Sequence, residues 1–542
     1  MLKFSLNYIK QKKIHLLVLI LSMLIGGFSA AKLGQDINFD LLNYHYSNPY
    51  ALLHNRIEQD IAPAELESYE NPLVDIPSYM FISHLSPRQA AVALGLIQGL
   101  NIWFIFEISL VLLRRLRFNQ YFKKTAAFLI ATLSFFGAAS TSEIGNSMGE
   151  NIASIFVLAS LLIVLRSFSQ KQQGRHVLYI RAVAYFLVGF AVGLKLTAAA
   201  YGVGLMLTGL IFEGSFRNRA KNLFIYGCTA FAGLLTSAGF WYLRLWNLLK
   251  NPIFPFYNGI FKSAYYIPVN FVDKRWFPKT LGEKIFYPFY FINNKGRSAE
   301  IPFRDPRLAV LFTLIIIIML LTLGRLILKK RLEYNKWPRE QVFFWVFLGV
   351  SYLVWLKQFG YYRYLLPVEL LSLIAIALII FKLVKNISVA STALVISFVV
   401  ITLTTSPINW GRVPWQPTYF GVKKADYKQL EDSTVLIAGF APLGFLVPYF
   451  PESSHTIRIE SDLSSPSMGT PVMQQYIRAQ VNARLRKGSP FYALRADEEA
   501  TIAEESYNAY NFKTVGCREI PAIVRAQSIS KFRLCKLILL NP

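Results

Sequence analysis

The sequence predicts an α-helical polytopic membrane protein with about eleven spanning helices and a small α/β domain at its carboxyl end. Three observations carry this expectation. Hydrophobic residues make up 54% of the 542-residue chain and charged residues only 16%, against about 25% charged in ordinary soluble domains. The apolar residues fall in long blocks such as Leu308–Leu328, and about 18 apolar residues suffice to cross the roughly 30 Å hydrocarbon layer as a helix. The basic residues, 57 Lys and Arg against 31 Asp and Glu, gather between those blocks. There they read as membrane orientation signals and not as a nucleic-acid footprint.

Taken in order, the blocks place spans at 14–34, 89–113, 124–141, 149–167, 177–194, 197–213, 221–243, 307–328, 341–357, 364–383 and 388–406. The first has a basic flank (Lys10, Lys12, Lys13) and a small-residue end, Ser29-Ala30-Ala31, which resembles a cleavable signal peptide. With so many later spans it reads as an uncleaved signal anchor. Bases then recur in alternate loops: Arg114, Arg115, Arg117, Lys123 and Lys124 after the second span, and Arg217, Arg219 and Lys221 after the sixth. Lys329, Lys330 and Arg331 follow the eighth, and Lys382 and Lys385 the tenth. The positive-inside rule puts these loops and the amino terminus in the cytoplasm of a bacterial-type inner membrane. The opposite side receives the acidic loop 35–88, whose only bases are Arg56 and Arg88, together with 244–306 and the tail from about 407.

The expected division is therefore a transmembrane domain over 1–406 and an extracytoplasmic α/β domain over 407–542. In the tail, Thr434–Phe440, Thr456–Ile459 and Phe532–Leu540 read as strands and Val472–Leu485 as an amphipathic helix. Three cysteines exclude a disulfide-rich scaffold and a CxxC metal site. Cys228 sits in an apolar block and reads as core. Cys517 and Cys535 lie where the compartment permits a disulfide, although nothing in the sequence requires one.

The first outer loop opens Gly34-Gln35-Asp36-Ile37-Asn38-Phe39-Asp40-Leu41-Leu42-Asn43-Tyr44-His45. A carboxylate at the membrane boundary is partly desolvated, which raises its basicity and suits it to act as a general base. Asp36 and Asp40 read equally as solvated loop acids or helix caps. The loop continues through Ala51-Leu52-Leu53-His54-Asn55-Arg56 to Tyr69-Glu70-Asn71-Pro72-Leu73-Val74-Asp75. An acid just after the first span, a short helix ending Ala-Leu-Leu, and x-Pro-Leu before the second span together resemble the GT-C superfamily. These are polytopic glycosyltransferases of lipid-phosphate-linked sugars, including protein O-mannosyltransferases and the aminoarabinose transferases of lipid A. The resemblance implies a catalytic carboxylate in the first outer loop: Asp40 by its spacing from Ala51-Leu52-Leu53, with Asp36 second.

Further segments follow in the order the resemblance implies. Glu143 and Glu150 fall at the outer junction of the third and fourth spans, where the family places a second acid. Glu150 also reads as a favourable helix start and Asn151 as a cap. Gly193-Leu194-Lys195-Leu196-Thr197 is similar to a Gly-x-x-Lys segment, with one residue fewer between the glycine and the lysine. A lysine in apolar sequence costs about 2.5–3.5 kcal/mol at the bilayer centre and wants an anionic partner; a polyprenyl phosphate is one, and snorkelling to the surface is the alternative. Tyr362-Arg363-Tyr364-Leu365-Leu366-Pro367 resembles the Arg-Tyr-x-x-Pro entry to a late span, with Arg363 as a phosphate fork or an interfacial anchor. Arg244, ahead of Asn251-Pro252-Ile253-Phe254-Pro255, is a third phosphate candidate. His45, Glu70, Glu143, Glu150 and Tyr364 are the residues expected to meet acceptor or sugar.

The resemblance covers about 14–400 in short motifs, and no single one is specific. The Asp-Glu pair of several branches is here Asp40-Leu41, so no metal is expected through it, and no cofactor is implied. The function expected is transfer of a sugar from a polyprenyl-phosphate donor at the outer face, inverting, with Asp40 as base and a membrane lipid as partner. A transporter or flippase of lipid-linked glycans, and an envelope glycan polymerase or ligase, are the alternatives. Broken or repeated halves, the usual mark of a transporter, are not evident.

Overall fold

The computed structural model describes residues 2–116, 118–168, 175–212, 216–328, 337–465, 469–522 and 531–540. Arg117, Lys329, Lys330 and Arg331, used above to orient the chain, lie outside them. Eight helices among the described residues are long and apolar enough to cross a membrane: Lys13–Leu33, Pro87–Leu113, Glu150–Ser167, Arg175–Leu194, Arg217–Leu249, Arg307–Gly324, Tyr362–Leu383 and Ile387–Thr404. Leu196–Phe212 is a shorter apolar helix. The two remaining expected spans are helical as well. Arg339–Gln358 covers one, and Gln120–Phe135 with the short helix Ala138–Ser142 covers the other. The chain is thus an α-helical membrane protein with a sheet at its carboxyl end.

The break at Phe136-Gly137 has a local cause. Glu369, buried in the central span, accepts from the Ala139 and Ser140 amides (2.9 Å each), and Asp305 accepts from Ala138 N (2.9 Å). A Cβ on Gly137 would stand 2.1 Å from Glu369 Oε1. Burying these two acids is offset by Arg307, which pairs with Asp305 at 2.8 Å and donates to the Ser134 and Phe136 carbonyls.

Four contacts gather the basic loops at one end of the helical layer. Arg114 and Arg115 reach Glu340 at 3.2 and 3.3 Å. Arg339 donates to the Phe212 carbonyl, and Lys382 lies 4.7 Å over the Trp337 ring. The loops after the second, sixth, eighth and tenth spans therefore share an end, as the alternation of charge requires.

At the other end, the sheet is built from the tail and from the first long loop together. We number the strands β1 (Gln35–Asp36), β2 (Asp60–Ile61), β3 (Arg412–Val413), β4 (Thr434–Ile437), β5 (His455–Arg458), β6 (Phe491–Ala496), β7 (Phe512–Ile520) and β8 (Phe532–Leu539). Their order is β2-β5-β4-β6-β8-β7, parallel through β6 and antiparallel beyond, while β1 and β3 form a separate antiparallel pair. Helix Pro471–Arg486 connects β5 to β6, as parallel pairing demands. Loop and tail are locked by buried charge: Arg56 pairs with Asp60 (2.5 Å) and donates to the Ser454 carbonyl. Arg458 donates to the carbonyls of Pro63, Gly439 and Ala441 and lies 3.3 Å from Glu65. Leu41, Leu42, Tyr46 and Tyr50 of the loop share a core with Phe420, Val435 and Phe445.

Two cysteine readings are settled. Cys517 and Cys535 form a disulfide between β7 and β8, beside the irregular register at Val515/Arg518. Cys228 is not core. It is exposed on helix Phe216–Leu249, because a lipid-facing position is as apolar as an interior one and sequence hydropathy does not separate the two.

The first span packs on Pro87–Leu113 through Gly26, Gly95 and Gly99, backbone against backbone, the small-residue contact that suits helices in lipid. A Cβ on Gly26 would stand 2.1 Å from the Gly95 carbonyl oxygen, whereas one on Gly227 meets nothing within 4 Å. Gly26→Val should therefore cost about 1–3 kcal/mol of overpacking and lower the thermal midpoint of the solubilised protein. Gly227→Val should leave that midpoint within error.

Candidate active site

The end of the helical layer that carries the sheet also holds a chain of four charged side chains. Asp40 follows β1 and opens a wide, π-type turn, Leu41–His45, whose five residues are all buried. Asn38 Oδ1 accepts from Leu41 N at 2.8 Å and fixes the start of that turn. Asp40 Oδ2 lies 2.9 Å from Arg363 Nη1. Arg363 comes from the short turn Tyr362–Leu365, which leads into the central span at Pro367. Its guanidinium is stacked among Tyr361, Tyr364 and Trp410, 5.6, 5.4 and 5.5 Å from the ring centroids.

Arg363 Nε stands 3.5 Å from Glu150 Oε1, and the same oxygen accepts from Lys195 Nζ at 2.7 Å. Glu150 is the first residue of its helix, where a carboxylate is favoured by the dipole. The chain turns into that helix at Gly149, whose φ of +84° favours glycine. Lys195 lies in an extended break between Arg175–Leu194 and the turn Leu196–Ala198, and it also donates to the Met148 carbonyl at 2.6 Å. Asp40, Arg363, Glu150 and Lys195 thus run in line, two acids and two bases. Three of the side chains are under 10% exposed and Asp40 is 22% exposed. Asp40 is the open end of a closed cluster.

A second acid–base pair lies behind it. His45 Nδ1 is 2.7 Å from Asp75 Oδ1, both residues are buried, and the Tyr44 ring sits 4.1 Å from the imidazole. His45 Nε2 has no hydrogen-bond partner among the described residues. Glu70 is half-buried nearby. Burial, with Asp40 and Asp75, pushes its pKa up to about 7 against the pull of Lys195 and His45. Glu143 accepts from the Asn151 amide at 3.2 Å, and burial together with Glu150 raises its pKa well above the usual carboxylate range.

Three expectations need correction. Burial does press Asp40 toward higher pKa, but Arg363, His45 and Lys195 outweigh it and hold the carboxyl below its ordinary value. The expected gain in basicity is reversed; Asp40 is firmly ionised. Asp36 is engaged elsewhere: its carboxylate accepts from Asn38 N and Nδ2 and from Ser147 N and Oγ, all at 2.7–3.1 Å, which pins the first loop to the 143–149 segment. Arg244 is half-buried against the first loop, donating to Asn55 Oδ1 at 2.8 Å, and among the described residues is not joined to the cluster. Tyr364 contributes its ring to Arg363, while its carbonyl accepts from Tyr201. Sequence reasoning passed over Asp75, although it ends a quoted segment, and Trp410 and Ser147, for which no local signal exists.

No family model matches the chain, and no curated protein matches it in sequence. Its structure is similar to solved ones. ArnT from Cupriavidus metallidurans bound to undecaprenyl phosphate is 12% identical with a TM-score of 0.48, over 98% of this chain and 97% of that one. The archaeal oligosaccharyltransferase AglB from Archaeoglobus fulgidus, in complex with an inhibitory peptide and a dolichol-phosphate, is 10% identical with a TM-score of 0.46, over 92% and 71%. What the cluster can do follows from its own side chains.

Among the described residues, no three His, Cys, Asp or Glu side chains stand together as metal ligands do. The cluster offers an ionised, accessible carboxylate and spare cationic donors. Among the described residues Lys195 uses two of its three N–H groups, and Arg363 Nε, 3.5 Å from Glu150 Oε1, makes no hydrogen bond. A fully engaged acid and an open one should respond differently to neutralisation. Asp36→Asn should lower stability by roughly 1–3 kcal/mol through lost charge-assisted acceptors, read as a fall in thermal midpoint. Asp40→Asn, at the open end, should lower it by less.

Proposed function

We propose that this protein transfers a sugar from a polyprenyl-phosphate carrier to a hydroxyl acceptor at the extracytoplasmic face of the cytoplasmic membrane. The observation that carries this reading is the placement of Asp40: it is the accessible member of a buried cluster whose two cations are within one carboxylate of each other. An acceptor hydroxyl is a weak nucleophile. As its oxygen attacks the anomeric carbon, its proton passes to the Asp40 carboxylate. The bond from that carbon to the phosphate oxygen breaks, the electron pair leaves with the polyprenyl phosphate, and attack from the opposite side inverts the anomeric configuration.

The leaving phosphate gains charge, which preorganised donors in a water-poor site stabilise most. Lys195 keeps one N–H in reserve and Arg363 its Nε, so the phosphate is received by Lys195 first and Arg363 second. Glu150 holds both cations in place before the donor arrives. The His45–Asp75 pair and Glu70 border the same acid and are assigned to the sugar or acceptor, with Tyr364 and Glu143 on the far side. The spans hold the prenyl chain, and the tail with the first loop forms a roof at 407–542 over the helical domain at 1–406.

The sidedness rests on two supports. The basic loops meet at the end away from Asp40, and cytoplasmic loops are the basic ones. The Cys517–Cys535 bond belongs to an oxidising compartment.

The test is a purified-protein assay with polyprenyl-phosphate sugars, scored for free polyprenyl phosphate. Asp40→Asn should lower turnover by about 10²–10⁴-fold, and Lys195→Met by about 10²-fold; a near-normal Asp40→Asn removes the assignment of the base. The pH profile gives a separate check. Asp40 works as a carboxylate and its pKa is depressed, so activity should persist as pH falls through the ordinary carboxylate range and fail only below it. In Arg363→Gln the burial remains while the chief opposing charge is gone, so the acidic limb should move to higher pH.

A further inference from the structure

A second opening lies at the same end as Asp40. It encloses about 500 Å³ and is lined by Lys32, Gly34, Ser142, Asn409, Arg412 and Trp415, among others. Its walls are the end of the first span, the turn after Ala138–Ser142, and the segment leading from the last span into the sheet. Lys32 stands in the last turn of the first helix, exposed, with its ammonium 4.3 Å from the Phe28 ring centroid. Arg412 donates to three backbone carbonyls, of Gly34 (3.1 Å), Ser142 (3.1 Å) and Ile144 (2.6 Å). Carbonyls satisfy its N–H groups without cancelling its charge. Among the described residues no carboxylate forms a salt bridge with either cation; Asp36, hydrogen-bonded to Asn38 and Ser147, reaches Arg412 by charge alone and does not act on Lys32.

Lys32, with no acid paired to it among the described residues, and Arg412, opposed only by Asp36, stand beside Trp415 and Leu33 at the level where a span ends and make a polar mouth on an apolar root. Anionic phosphates of lipids lie at that depth, with their acyl chains directed along the spans. We infer that this groove binds the phosphate of a membrane phospholipid, in the leaflet that faces Asp40. The occupant is one side-chain layer from the charge cluster. Trp410 Nε1 donates to Ser142 Oγ at 3.1 Å while its ring packs on Arg363, and Arg412 holds the Ser142 and Ile144 carbonyls that flank Glu143. The lipid therefore braces the segment that carries the acids of the site.

The test uses the full chain in a neutral detergent, titrated with phosphatidylglycerol, diacylglycerol or inorganic phosphate and read by native mass spectrometry. One phosphatidylglycerol should be retained per chain, bound about tenfold more weakly by Lys32→Gln and restored by Lys32→Arg. Lys32 is exposed and makes no hydrogen bond among the described residues, so neither variant threatens the fold. Unchanged binding to Lys32→Gln would overturn the site. So would displacement by diacylglycerol, which means apolar adhesion only, and so would displacement by inorganic phosphate at equal concentration, which means a site for a free anion.

Discussion

Asp40, Arg363, Glu150 and Lys195 are of use only if they remain charged while mostly shielded from water. Taking an unpaired ion out of water costs several kcal/mol even after relaxation. Every element that delivers one of these side chains is therefore tied to the others. The first loop must place Asp40 at 2.9 Å from Arg363, and the break at Lys195 must meet the start of the Glu150 helix at 2.7 Å. Displacing Glu150 leaves the buried Lys195 without its carboxylate partner and Arg363 with only the more exposed Asp40. That mutual dependence holds first loop, fourth span, fifth span and central span in one arrangement at this end of the molecule.

Much of the remaining architecture serves that placement. The first loop crosses more than fifty residues between spans in short helical segments and two two-residue strands, and its apolar residues pack against the tail. Its β2 strand joins the sheet of the tail, Arg458 and Arg56 pin it from opposite chain segments, and Leu41 and Leu42 pack against Phe420 and Phe445. Asp36 adds a tether to Ser147, two residues before the helix turn that presents Glu150. The tail is accordingly a clamp on the loop that carries Asp40 as well as a cover.

How far this was legible in the sequence depended on the range of the interaction. Helical spans are local and apolar, and each expected block falls on a helix. Asp40, Lys195 and Arg363 stood out because each is a charge next to an apolar block, and their order along the chain resembled a known pattern. Their pairing through Glu150 was not legible, since the four residues are drawn from positions 40, 150, 195 and 363. The two-residue strands β1, β2 and β3 have no period to detect, so the union of loop and tail was missed. The electrostatic sign at Asp40 was misjudged for the same reason: burial could be read from its position at a span end, but the opposing Arg363 is 323 residues away. Cys228 illustrates a different limit, because lipid and protein interior select the same side chains.

The cluster in its resting state balances two acids with two bases, while burial beside Glu150 raises the pKa of the neighbouring Glu143 carboxyl. A phosphate entering it has to compete with Glu150 for Lys195 and Arg363. A donor that binds here must meet the unused N–H groups of both. The direct measurement is a cryo-electron microscopy structure of the protein with a polyprenyl phosphate bound. The phosphate should lie within hydrogen-bond distance of Lys195 Nζ and the Arg363 guanidinium, with Asp40 facing the open side. A phosphate seated at the opposite end of the helical layer, beside Arg114 and Glu340, would contradict it.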